Sequence, residues 1–332
     1  MELFYPEYYQ KFKCIAGACP DSCCKQWAVD VDADAAFYYR SLPGPLGDRL
    51  RQVLEDTPEG TVMTITDGRC PMWETDGLCR IQRELGEEAL CQVCSTYPRL
   101  EHDYGAFREY GLELSCPEAA RLILQDNGGI IVRQGQGSAA PDYDIEDMAF
   151  LRESRQRILS YLETTQHTPA QILSVLLQYG QALQAQWDGG EPAHFPKEPA
   201  LCERPGDPGA LFSFFAELEI LTEQWRQLLS APPAVAALPR NTRALLRYFI
   251  TRHYLQAISD FDLAGRICFS VIACIMIGSV DLPVPRAAQL FSKEIENNSE
   301  NLYRILDGVY AESALGTAAL CRHLSSGNPL AD

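Results

Sequence analysis

Positive charge is what this 332-residue chain has least of: 28 Lys+Arg stand against 45 Asp+Glu, a formal net charge of −17. A general nucleic-acid binder needs a basic face to neutralise phosphates, and this balance excludes one. Long apolar runs are missing too. The greasiest stretch, Ile267 to Val280 between Arg266 and Asp281, has 14 residues. A membrane span needs about 20, so this run reads as a buried helix and no membrane insertion is expected. The opening MELFYPEYYQKFKC carries acidic and aromatic residues and no apolar core of leader length, which points to a cytoplasmic, reducing setting. Histidine is sparse, and His102, His167, His194, His253 and His323 are dispersed; solvated or core positions suit them better than a ligand role. No nucleotide fingerprint is present either. GGIIVRQGQG (128–137) is not a G-x-G-x-x-G loop between strand and helix, so no doubly wound nucleotide-binding domain is expected.

What is present is a packable chain, 46% hydrophobic and 10% aromatic, which excludes wholesale disorder. It also holds 13 cysteines, distributed unevenly. Nine fall within the first 116 residues: Cys14, Cys19, Cys23, Cys24, Cys70, Cys79, Cys91, Cys94 and Cys116. The remaining Cys202, Cys268, Cys274 and Cys321 are isolated and read as core or surface residues. In a reducing compartment clustered thiols mean metal rather than disulfides. Thiolates packed so closely repel each other and oxidise unless a soft cation neutralises them. Zinc in four-thiolate geometry or an iron–sulfur cluster satisfies this chemistry, and spacing alone does not separate them. Only Cys91-x2-Cys94 has the form of a zinc knuckle, and the C-x3-C-x2-C pattern fails because Gln26 stands where its third cysteine would be.

The pattern along the chain predicts a mainly α protein in two parts. Residues 1–127 form a cysteine-rich metal-binding domain with short helices and a small β element. Helical turns are expected over 34–39, 46–54 and 81–94, with Pro43-Gly44-Pro45 as a breaker. Short strands are expected over 61–66 and 107–114, as a pair, and a helix is expected to open at Pro117. A turn, short strand and connection over 128–141 form the boundary. Residues 142–332 then form an antiparallel helical bundle, with helices near 145–163, 169–186, 209–229, 242–258, 263–277 and 285–306. The Gly- and Pro-rich stretch 188–208 reads as a surface loop.

Three segments carry a more specific signal: FKCIAGACPDSCCKQWAVDVD (12–32), RCPMWETDGLCRIQRELGEEALCQVCSTYPR (69–99) and YGLELSCPEAARLIL (110–124). On these the chain resembles the flagellin lysine-N-methylase family, related to a wider group of zinc- or iron-chelating cysteine-cluster proteins. The resemblance implies methyl transfer from S-adenosylmethionine to lysine side chains of flagellin, with a [4Fe-4S] cluster whose ligands come from among the nine N-terminal cysteines. The residues by themselves also allow a non-catalytic zinc- or iron-binding module that mediates protein interaction, or a redox protein using the same cluster.

Lysine methylation needs a neutral amine, whereas free lysine has a pKa of about 10.4, so a desolvated channel or a base must help. Asp30, Asp32, Glu74, Tyr97 and Glu113 are candidate bases, though each reads more readily as a solvated or capping group. Trp27 and Trp73 lie three residues beyond Cys24 and Cys70 and suit either a core position or an aromatic wall for an ammonium. Arg99 suits either a structural ion pair or the carboxylate of a methionine moiety. Residues 1–120 carry 11 Lys+Arg against 21 Asp+Glu, a field that serves solubility and would also attract a lysine-bearing target.

Overall fold

The computed structural model describes residues 1–25, 29–137, 140–199, 207–231, 238 and 241–326. Its first part runs β1 (Glu2–Pro6), α1 (Glu7–Lys11), β2 (Val29–Val31), α2 (Ala33–Ser41), α3 (Gly44–Val53), β3 (Leu54–Thr57) and β4 (Gly60–Met63). It continues with α4 (Arg80–Leu85), α5 (Gln92–Thr96), β5 (Arg99–Asp103), β6 (Phe107–Leu112), α6 (Pro117–Leu124) and β7 (Ile130–Gln134). Helices follow: α7 (Ile145–Thr164), α8 (Pro169–Trp187), α9 (Pro208–Ala216), α10 (Glu223–Ser230), α11 (Thr242–His253), α12 (Ala257–Asp260), α13 (Leu263–Ser279), α14 (Val284–Phe291), α15 (Ser299–Ala311) and α16 (Thr317–Ser326). The protein is mainly α, as its sequence predicts.

Two small sheets accompany the helices, ordered β5-β6-β1-β7 and β2-β4-β3. The pairing expected between 61–66 and 107–114 does not occur. β4 pairs with β2 and β3, while β6 pairs antiparallel with β5 and parallel with β1. Alternation identified both strands, but it carries no information about partners. β7 adds antiparallel to β1, with Phe4 opposite Val132.

The hydrophobic residues divide into two cores. The smaller is built within residues 29–91 from Val29, Val31, Tyr39, Leu50, Met63, Met72 and their neighbours, with Cys70 and Cys91. Its helices α2 and α3 approach closely at Gly47, where a Cβ would stand 1.9 Å from the Leu42 carbonyl oxygen. Gly86, at φ +96°, ends α4 and splits the 81–94 helix expected from periodicity into α4 and α5. Pro45 does not break α3: it occupies the first turn, where proline costs no hydrogen bond.

The larger core joins Tyr8, Phe12, Phe107, Leu112 and α6 to the helices beyond residue 145. α13 lies at its centre, buried over almost its whole length, with α8, α11, α14 and α15 packed around it. The 14-residue apolar run is therefore a core helix, and no helix among the described residues is long and apolar enough to cross a membrane. α8 starts on a capping box between Thr168 and Gln171 with Pro169 in its first turn, each element favouring the start where the periodicity puts it.

Three helices expected as single rods are divided: the 242–258 segment passes from α11 through a 3-10 turn at Tyr254–Gln256 into α12, and two others are broken outright. The 209–229 segment divides into α9 and α10 because Thr222 caps α10, its hydroxyl accepting from Trp225 N at 3.1 Å. The buried Glu294 carboxylate takes the N–H groups of Leu221 and Thr222 at 2.8 and 2.9 Å. The 285–306 segment divides at Asn297-Asn298, where Asn298 caps α15. Before that break, α14 passes into a π-helical turn over Ser292–Glu296, in which Asn297 N–H reaches the Ser292 carbonyl at 3.0 Å. α16 has no counterpart among the expected helices.

A buried polar network ties α11 to that turn. Glu296 accepts from His253 Nε2 at 2.7 Å and from Tyr248 Oη at 3.2 Å, and pairs with Arg252 at 3.4 Å. Tyr248 Oη in turn accepts from Leu114 N at 3.3 Å. Burial holds the His253 imidazole down to about 4 against an ordinary 6.5, although Glu296 pulls it upward. A histidine depressed on folding contributes stability above the unfolded value and loses it as pH falls. The urea midpoint should therefore decline from pH 6.5 to about 4, and the decline should be shallower in His253→Gln, as equilibrium unfolding across that window would record.

Candidate thiol centre

Six of the nine N-terminal cysteines line one cavity of about 70 Å³: Cys23, Cys24, Cys70, Cys79, Cys91 and Cys94. Backbone pairing brings their loops together. Cys70 N donates to the Cys24 carbonyl at 2.8 Å and Arg80 N to the Met72 carbonyl at 2.8 Å, while single bridges join Lys25 to Arg69 and Trp73 to Cys79. The Cys91 loop is fixed from two sides. Asp32 caps α2 through Ala35 N at 3.0 Å and accepts from Gln92 N at 2.7 Å with its other oxygen. Tyr39 Oη donates to the Ala89 carbonyl at 2.7 Å from a fully buried position. Cys70 and Cys91 are buried, while Cys23 and Cys94 keep solvent exposure, so the cavity opens at the latter pair.

The thiols hold protons against one another. Neighbouring thiols oppose each other's ionisation, and Cys70 Sγ donates to Met63 Sδ at 3.4 Å. Cys23 is pushed up by its interaction with Cys24 and then by burial, and Cys94 by Cys91 and then burial. Cys24 gains stabilisation from Cys23 but is carried up to about 12 by Cys70 and burial. Their partners fall: Cys91, helped by Cys94, comes down to about 7, and Cys70 is lowered by Cys24. Burial pushes Cys79 up despite the amides of its helix start. Such a set loses its last protons only to a cation that takes their place.

Cys14, Cys19 and Cys116 do not line this cavity. They lie near enough for their charges to interact, and Cys116 stands at the N-cap of α6, raised by burial to about 11. Tyr97 forms a wall between the two groups: it lines the six-thiol cavity, and its hydroxyl is 3.1 Å from Ser115 Oγ, beside Cys116.

The donor set fits a soft-metal centre. The cavity lining offers thiols and the thioethers of Met63 and Met72 and no carboxylate, a preference for zinc, copper(I) or iron–sulfur chemistry. In their present positions no three His, Cys, Asp or Glu side chains among the described residues are arranged to hold a metal ion. Binding would therefore require the cavity thiols to shift from these positions and give up protons.

The other candidates take structural places. Glu74 pairs with Arg83 and Arg80, and Glu113 accepts from Ser115 Oγ at 2.8 Å. Asp30 is exposed on β2. Burial drives Tyr97 well above the usual phenol range, so it keeps its proton at neutral pH and is no base there. The Trp73 ring is approached by Lys25 Nζ at 5.1 Å and the Arg69 guanidinium at 4.8 Å, while its buried Nε1 lacks a hydrogen-bond partner. Arg99 lies over Phe12 at 5.2 Å. Trp27 and Cys202 lie outside the described residues, whereas Cys268, Cys274 and Cys321 are buried in helices, as isolated apolar positions predict. A groove of about 440 Å³ along α7, with Arg157, Tyr161 and Phe195 in its wall, holds no thiol; it is shallow and apart from the cysteine chemistry.

Sequence reasoning did not single out Asp21, Arg286, Gln289 or Lys293, which meet beside the cavity. One signal was available: Lys293 is the only lysine after residue 197 and stands in the apolar-flanked run LFSKEIE.

This arrangement defines a thiol-centre protein whose cysteine-lined unit is joined to a helical body. Comparison with known proteins makes the class specific. The chain is 31% identical over 131 residues to the flagellar biosynthetic protein FliU of Salmonella muenchen, covering 36% of this chain and 76% of that protein. The same identity and length relate it to the lysine-N-methylases of Salmonella typhimurium and Salmonella choleraesuis. The chain therefore belongs to the flagellin lysine-N-methylase family. Its match spans about a third of the length of the two lysine-N-methylases (32%). No family model matches the chain, and no solved structure does.

Replacing Cys70 or Cys94 with Ser should cut bound metal to well under half of the wild-type amount and lower the unfolding temperature. Cys274→Ala, in α13, should leave the metal content unchanged. Elemental analysis of anaerobically purified variants is the measurement, and equal metal in all of them would contradict the ligand assignment.

Proposed function

We propose that the protein transfers methyl groups from S-adenosylmethionine to lysine side chains of flagellin, and that its thiol cavity holds a [4Fe-4S] cluster. The observation that carries this reading is the convergence of six thiols on one cavity in a chain of this family. Relatives named lysine-N-methylase support the reaction class, and a relative named as a flagellar biosynthetic protein supports the flagellar substrate.

In methyl transfer the neutral amine attacks the sulfonium methyl; a C–N bond forms, the S–CH3 bond breaks and S-adenosylhomocysteine leaves. The proton freed from the amine passes to a base or to water. None of the carboxylates named above is assigned as that base, because Asp32, Glu74 and Glu113 are already engaged by backbone, arginine or hydroxyl partners. When bound, the cluster would supply a rigid thiolate-held anchor and a site capable of one-electron chemistry. Four of Cys23, Cys24, Cys70, Cys79, Cys91 and Cys94 would hold it, since a cubane takes about four thiolates, and the other two would remain beside it as thiols. Lys25 and Arg69, next in sequence to Cys24 and Cys70 and both within reach of the Trp73 ring, offset negative charge that the thiolates add.

Anaerobically purified protein should be brown with broad visible absorption, and incubation with S-adenosylmethionine and purified flagellin should yield methylated lysines by peptide mass spectrometry. Colourless protein with stoichiometric zinc would replace the cluster by a zinc centre. Unmodified flagellin with metal-replete protein would overturn the catalytic reading and leave a metal-binding interaction module.

A further inference from the structure

Asp21 lies in the loop CPDSCC (19–24), which carries Cys19, Cys23 and Cys24. Within the loop its Oδ1 accepts from Ser22 N at 2.8 Å and from Lys25 Nζ at 3.5 Å. Its other oxygen is held from far along the chain. Asp21 Oδ2 accepts from Lys293 Nζ at 2.7 Å, Gln289 Nε2 at 2.8 Å and Arg286 Nη1 at 3.1 Å. The Lys293 side chain is only 5% exposed and that of Asp21 11%. A buried pair of this kind is costly to break from one side, because the survivor remains as an uncompensated charge.

The π-helical turn gives Lys293 its reach. Lys293, Glu294 and Glu296 are all buried, yet each serves a different element: Lys293 the cysteine loop, Glu294 the start of α10, and Glu296 the α11 network. Such turns widen a helix locally and are often retained at functional sites.

We propose that Lys293 is a positioning residue for the thiol cavity: through Asp21 it holds the Cys19–Cys24 loop closed. This deepens the metal-centre reading, and its test needs no metal. The full-length, reduced, metal-free chain is alkylated with iodoacetamide, and the rate at each cysteine is read by peptide mass spectrometry. Lys293→Met and Asp21→Asn should each raise the rates at Cys19, Cys23 and Cys24 about tenfold or more, as expected when a buried pair that closes a loop is lost. Lys293→Arg should restore rates to near wild type. Cys268 and Cys274, inside α13, should stay protected in every variant.

Wild-type rates at Cys19–Cys24 in both Lys293→Met and Asp21→Asn would overturn the inference. So would equal deprotection of Cys268 and Cys274 in both, since that assigns the pair to global stability. If Lys293→Met alone fails to fold, Asp21→Asn decides, because Asp21 lies on the loop and outside the helical core. Absence of metal in the wild-type protein would refute the cluster while leaving the alkylation comparison intact.

Discussion

Everything in the N-terminal part is arranged around one constraint: thiols brought this close must either keep their protons or share a cation. The proximity of Cys23 to Cys24, of Cys24 to Cys70 and of Cys94 to Cys91 pushes Cys23 and Cys94 up and brings down Cys70 and Cys91, the two most buried of the six. The fold around them is small. Its core is drawn from residues 29–91 and includes two of the thiols themselves, so there is little apolar surface to stabilise the unit by burial alone. Units of this size generally rely on disulfides, metal or a larger neighbour. The soft donor set answers to the second of these and the helical body to the third.

The contribution of the helical body is specific rather than general packing. α14 and the π-helical turn reach the CPDSCC loop through Lys293, Gln289 and Arg286. The same turn reaches the other thiol group by a separate path, from Glu296 through Tyr248 to the amide of Leu114, two residues before Cys116. Both routes are buried polar networks, in which each lost partner leaves a desolvated group behind. That makes the relative placement of cysteine loops and helices all-or-none. A sliding apolar contact could not impose such a register.

How much of this was legible in the sequence follows from what each signal encodes. The nine clustered cysteines announced a thiol centre, and the structure brings six of them to one cavity. Helical periodicity located α7, α8, α13 and the start of α11, whose apolar faces are buried together in the larger core. It ran through the breaks at Thr222 and Asn298, because there the stop is made by side chains capping a new helix and by Glu294 arriving from elsewhere. Strand pairing was missed for a related reason: alternation in 61–66 and 107–114 reports a half-buried strand and is silent about which strand lies beside it. Asp32 illustrates the same limit at the site. Its type suits a base, yet its two oxygens cap α2 and receive Gln92 N–H, a duty set by a residue 60 positions away.

Charge gains a spatial meaning from the fold. A chain with net charge −17 nonetheless places Lys25, Arg69 and Lys293 around its thiols, two of them over Trp73 and one against Asp21. Thiolates are the one group of anions here whose number would rise on metal binding, so local cations lower the cost of loading without changing the acidic exterior. The exterior has a different consequence. A lysine-bearing protein is drawn to an acidic surface as a cation, but methylation needs its amine neutral, and only removal from water or a base achieves that. Attraction and chemistry thus demand opposite protonation states of the same nitrogen. A site that serves both must receive the lysine charged at the surface and discharge it in a drier place, which favours the buried seam between thiol loops and helices over the exposed acidic face.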